Sequence, residues 1–132
     1  MTAMNVSPVR VFAAAKVGFG LVLIARPGFA SKAWVGEPAQ GPARSVLIRA
    51  LGARELALGA GLLTAPASRQ LLMLGAFVDA VDAVAAATSP DLDARHKRFA
   101  TVSAAVYAGL GLLLANKGKA ADLAQARERA RG

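Results

Sequence analysis

The chain has 132 residues, the size of a single domain, with 55 % hydrophobic residues, only 5 % aromatic ones and a formal net charge of +8. Thiol chemistry is excluded because there is no cysteine, and His96, the only histidine, would need carboxylates to complete a zinc site. No metal, cofactor-binding or catalytic site is expected, since no nucleophile–base pair or ligand cluster stands in the sequence.

The apolar excess comes from Ala, Val, Leu and Gly, and the mean hydropathy is +0.45. Small residues at this density suit close helix–helix contact in lipid. The basic residues mostly flank apolar segments and are almost free of aromatic neighbours. That placement suits anionic lipid headgroups better than nucleic acid, which is read by basic elements with rings to stack on.

Met1 to Ser7 is short and polar. Ser7-Pro8 opens a first helix, Pro8 to about Ala25, because proline fits the first turn where its missing N–H is not needed. Arg26-Pro27-Gly28 stops it. The stretch imitates a signal peptide, but Lys16 inside it and Arg26 before the cleavage-like residues predict a retained helix. Phe12, Phe19 and Leu23 share the side of Lys16. Two readings of Lys16 stand: a snorkelling or surface cation, or a third cation facing acids on other helices.

Gly28 to Arg44 reads as a long connection, broken by Gly28, Gly36, Pro38, Gly41 and Pro42. Ala30 to Val35 within it is expected as a short interfacial turn. Trp34 would lie at headgroup level or pack on the end of the helices.

A second helix, about Arg44 to Ala65, carries Arg49, Arg54 and Glu55 in its interior. A third, Arg69 to Thr88, carries Asp79 and Asp82. An unpaired charge at the centre of a bilayer costs roughly 2.5–3.5 kcal/mol, so opposite signs on adjacent helices should meet. Ala53, Ala57 and Gly61 form a small-residue series on the second helix, and Arg54 shares a face with Ala57 and Gly61. Arg54 should therefore point into a tight contact that demands a carboxylate. Gly75, Asp79, Asp82, Ala83 and Ala86 form the matching face. The short turn at Ala67 to Arg69 makes these helices antiparallel neighbours. Arg54 and Asp79 then lie at similar depth and are the expected pair, with Asp82 as the exchangeable carboxylate. On this reading Arg54→Ala costs more stability than Lys16→Ala.

Pro90 to Arg98 is a charged loop, a juxtamembrane basic patch holding His96. A fourth helix, Phe99 to Ala115, has no charge and is the cleanest spanning segment, closed by Asn116-Lys117-Gly118. Tyr107 on it either donates to a carboxylate or buries its ring. Residues 119–132 form a basic, helix-prone tail beyond a membrane domain of residues 1–118.

These segments predict an all-α fold: a four-helix transmembrane bundle of antiparallel up-down topology, with a buried charge network between the second and third helices. Its members are Arg49, Arg54, Glu55, Asp79 and Asp82, with Lys16 and Tyr107 as candidates. A soluble bundle would need a charged outer stripe on every helix, and the fourth helix has none. The positive-inside rule finds little asymmetry; the basic tail favours both termini inside.

The run Arg49-Ala50-Leu51-Gly52-Ala53-Arg54-Glu55-Leu56-Ala57-Leu58-Gly59, followed by Gly75 to Asp79 and Asp82, resembles a group of small bacterial four-span membrane proteins of no assigned activity, loosely similar to the DoxX-like families. The resemblance covers about the first two thirds of the chain. It implies a four-helix fold in a bacterial inner membrane and no substrate. DoxX is associated with membrane redox partners, but no motif here carries that role over. Two functions remain in view: a structural or accessory membrane subunit, and a small transporter or proton-linked carrier using Asp79 or Asp82. An enzyme is not expected. The expected partners are the lipid bilayer, anionic headgroups, and further copies of the chain or a larger membrane complex.

Overall fold

The computed structural model describes residues 7–36 and 42–131. Pro38 and Gly41, read above as loop breakers, lie outside the described residues. Among the described residues there are five helices and no strand: α1 (Pro8–Ala25), α2 (Pro27–Val35), α3 (Pro42–Thr64), α4 (Arg69–Thr88) and α5 (Ala94–Arg129).

The all-α expectation holds, but the connection after α1 is more ordered than it read. Arg26 leaves helical geometry, with φ −135° and ψ 63°, and Pro27 at once begins α2. One proline thus ends one helix and starts the next. α2 closes at Gly36, whose φ of 86° lies in the left-handed region. A Cβ built on Gly36 would lie 2.7 Å from Nδ1 of His96, so the end of α2 rests against the first turn of α5.

The start of α1 also differs in detail. Ser7 precedes the helix without a side-chain cap, and its carbonyl accepts from Arg10 and Val11. The starts of α4 and α5 are capped by side chains. Ser68 accepts from the Leu71 N–H at 3.3 Å, and Asp93 accepts from the Arg95 and His96 N–H groups at 3.0 and 3.1 Å.

Asp93 also contacts His96 Nδ1 at 2.5 Å. The His96 backbone N–H first, and then its ring, hold the Asp93 carboxyl below its ordinary value of 3.8. A lowered folded-state value contributes stability that is present above the unfolded value and is lost as pH falls through the folded one. Asp93→Asn is therefore expected to lower the thermal midpoint at neutral pH, with the gap to the parent narrowing below about pH 3.8. Melting curves across that range check it; a gap that widens in acid contradicts it.

α5 does not stop at Asn116-Lys117-Gly118 but continues to Arg129. Gly118 has open space around it, and the surrounding Ala, Leu, Lys, Arg, Gln and Glu are good helix formers. One glycine costs about 1 kcal/mol in a helix interior, which such neighbours offset.

The tight pairs are α1 with α3 and α4 with α5, whereas α3 and α4, expected to pack face to face, touch far less. Glycines decide this. A Cβ on Gly20 would lie 2.6 Å from the Gly52 carbonyl oxygen, and one on Gly59 would lie 2.7 Å from the Ala13 oxygen. α1 and α3 therefore meet backbone to backbone. The expected series on the second predicted helix faces elsewhere: Ala53 and Ala57 are exposed, and Gly61 lies against Leu71. The α4–α5 contact uses a stripe of small residues on α5, namely Ala100, Ala104, Ala108, Gly111 and Ala115. Gly111 faces Ala76 and the Leu72 carbonyl.

The exterior is unusually apolar for a water-soluble domain, and the interior encloses charged groups among its apolar side chains. The largest side chains that are almost fully buried are Lys16, Leu23 and Leu62, while Phe77 and Leu47 are each 69 % exposed and Phe29 is 66 % exposed. Such an outer surface is costly in water and neutral in lipid. Three helices, α1, α4 and α5, are long and apolar enough to cross a membrane. α3 is long enough, but any 18-residue window of it contains Arg49, Arg54 and Glu55.

Candidate functional site

Lys16, Glu55 and Asp79 come from three different helices and meet at their mid-lengths. Lys16 lies nine residues from the end of α1, Glu55 nine from the end of α3, and Asp79 ten from the start of α4. Lys16 is on the face of α1 that carries Phe12, Gly20 and Leu23, all buried. Because Gly20 lets α3 approach closely, Glu55, three residues after Gly52 and four before Gly59, is drawn to the same level.

The Lys16 ammonium donates to Glu55 Oε2 at 2.8 Å and to both Asp79 oxygens at 3.0 and 2.8 Å. Its side chain is 1 % exposed, against 4 % for Glu55 and 7 % for Asp79. Of the two readings of Lys16, the structure takes the inward one. Arg54 donates to Glu55 Oε1 at 3.2 and 2.9 Å and to the two Asp82 oxygens at 3.2 and 2.5 Å. The expected Arg54–Asp79 pair is thus replaced by two pairs, Lys16 with Asp79 and Arg54 with Asp82.

The resulting order is Asp79, Lys16, Glu55, Arg54, Asp82: an open chain of alternating charges with a carboxylate at each end. Its ends stand one turn apart on α4. Arg49 is not part of it and is exposed. Five residues along a helix turn the side chain by about 140°, so Arg49 and Arg54 face different ways. Tyr107 joins through its ring: the Lys16 ammonium lies 5.2 Å from its centroid and 5.5 Å from that of Phe12. The Phe12 and Tyr107 rings are themselves 5.7 Å apart.

Above this chain lies a cavity of about 340 Å³. Its polar floor is Arg54, Glu55, Asp79 and Asp82, and its walls include Phe19, Phe29, Trp34, Phe99 and Tyr107. Trp34 packs edge-on against Phe19 at 5.9 Å, in the cavity wall formed where α2 meets α1. The cavity was not legible before the structure, because α2 read as part of a loop. A shallower depression next to it shares Ala33, Phe99 and Ser103 and is edged by Arg95, His96 and Arg98. No group of three or more metal-ligating side chains occurs among the described residues.

No family model, no curated protein and no solved structure matches the chain.

Proposed function

We propose that this chain is a multi-pass membrane protein, a structural or accessory subunit whose internal ion cluster fixes how its helices meet. The observation that carries the reading is the pairing of a buried charge with an apolar exterior: an ammonium at 1 % exposure inside, phenylalanine and leucine at 69 % outside. In lipid that surface needs no cover, and each buried charge finds a partner. α3 then serves as a fourth span, its Arg54 and Glu55 compensated by α1 and α4, and α2 lies at the interface. The result is a four-span, up-down assembly in a bacterial inner membrane, in keeping with the DoxX-like resemblance. Buried ionic groups serve best where they select one arrangement among several.

Washed membranes extracted at alkaline pH test the location. The chain is expected in the pellet; recovery in the supernatant would reject the reading.

The cavity favours a second reading, a small carrier, because it opens onto carboxylates at mid-span. Proton flux into liposomes separates the two. Loss of flux in a well-folded Asp82→Asn variant supports the carrier; no flux in the parent, with weakened assembly in the variant, supports the structural subunit.

A further inference from the structure

The alternating chain has an odd number of members, two cations and three carboxylates, so it carries one negative charge in excess when all are ionised. Arg49 would have balanced it but faces outward. The two terminal carboxylates, Asp79 and Asp82, both line the cavity. A single positive charge placed between them would turn the open chain into a closed ring of alternating sign.

The walls fit the rest of such a ligand. Five of the seven aromatic residues in the chain line this one cavity. In a sequence so poor in rings this is a marked concentration, and ring faces attract cations while accepting apolar substituents. A volume of about 340 Å³ suits a small molecule. Arg95, His96 and Arg98 edge the neighbouring depression, not this floor.

We infer that the cavity binds a small apolar monocation, of the quaternary ammonium class, with its charge between Asp79 and Asp82 and its apolar part against Trp34 and Phe19. This names a ligand class for the carrier reading; binding without transport would retain the site and dismiss the carrier.

Trp34 is the only tryptophan and stands in the wall, so its fluorescence reports occupancy. The purified full chain in dodecyl maltoside is titrated with benzyltrimethylammonium, with its neutral isostere neopentylbenzene, and with phenylacetate. The cation should give a saturable change and bind at least about tenfold more tightly than either of the others. Asp82→Asn should weaken it by a similar factor, and Asp82→Glu should restore it. Equal affinity for the neutral isostere, or tighter binding of phenylacetate, overturns the proposal on the parent protein alone, whether or not Asp82→Asn folds.

Discussion

Replacing Lys16 with methionine is expected to cost about 3–5 kcal/mol, the range for breaking one side of a buried ion pair. Among the described residues the ammonium is the one cation in hydrogen-bond contact with Asp79, and it also holds one oxygen of Glu55. Methionine has a similar stem but no charge, so Asp79, with its side chain 7 % exposed, would lose its hydrogen-bonded cation and keep only the more distant charge of Arg54. Arg54→Ala should cost less, although sequence reasoning favours the opposite order. Its side chain is 29 % exposed and its partner Asp82 is 23 % exposed, so water in the cavity can hydrate what is left. Glu55 meanwhile keeps Lys16. Unfolding in detergent gives the order of loss. Lys16→Met combined with Asp79→Asn should recover a large part of the deficit, because the stranded charge is gone. A larger loss for Arg54→Ala than for Lys16→Met would show that the cluster is not centred on the lysine.

The second large effect is expected at the α1–α3 contact. Gly20 and Gly52 face each other so closely that a Cβ on either would lie 2.6 or 2.7 Å from the other's carbonyl oxygen. Backbone cannot swing aside as a side chain can. Gly20→Ala or Gly52→Ala should therefore cost about 1–3 kcal/mol, and valine at either site more. Because the same contact sets the level of Lys16 and Glu55, these variants should also loosen the ion cluster. Gly18, two residues away, has nothing within 4 Å of its Cβ position. Gly18→Ala should be neutral or slightly stabilising, since alanine is the better helix former. Thermal unfolding of the three alanine variants in one detergent checks this; equal losses at Gly18 and Gly20 would deny a close backbone approach.

The helical segments and the ionic residues could be read from the sequence, because proline, serine and apolar runs act locally. Partner choice could not, because it depends on which helices come together. Two stripes on α3 competed as the contact face: Ala53, Ala57 and Gly61, and Gly52 with Gly59 around Glu55. The first was the longer series, but the second bears glycines where α1 has Gly20, four residues after Lys16. That coincidence was available in the sequence and points Lys16 inward. The face of α4 from Gly75 to Asp82 was legible, since both acids lie one turn apart. α2 was hidden because Pro27 was read only as a stop, although proline also opens helices. The extent of α5 was hidden because Gly118 resembles a C-terminal cap, and nothing local shows that the helix passes through it.

The uninterrupted length of α5 bears on what its basic end can reach. On the membrane reading proposed above, with Phe99 to Ala115 in the hydrocarbon, the turns from Asn116 to Arg129 extend about 20 Å further as continuous helix. Ionic screening in physiological salt has a range of about 8 Å, so a charge near the tip no longer senses phospholipid beneath it. Lys117 and Lys119 stay close to that surface, whereas Arg127 and Arg129 are held off it. On that reading the helix end would serve less as an adhesive than as a stand-off, holding its last arginines out in the adjoining aqueous space.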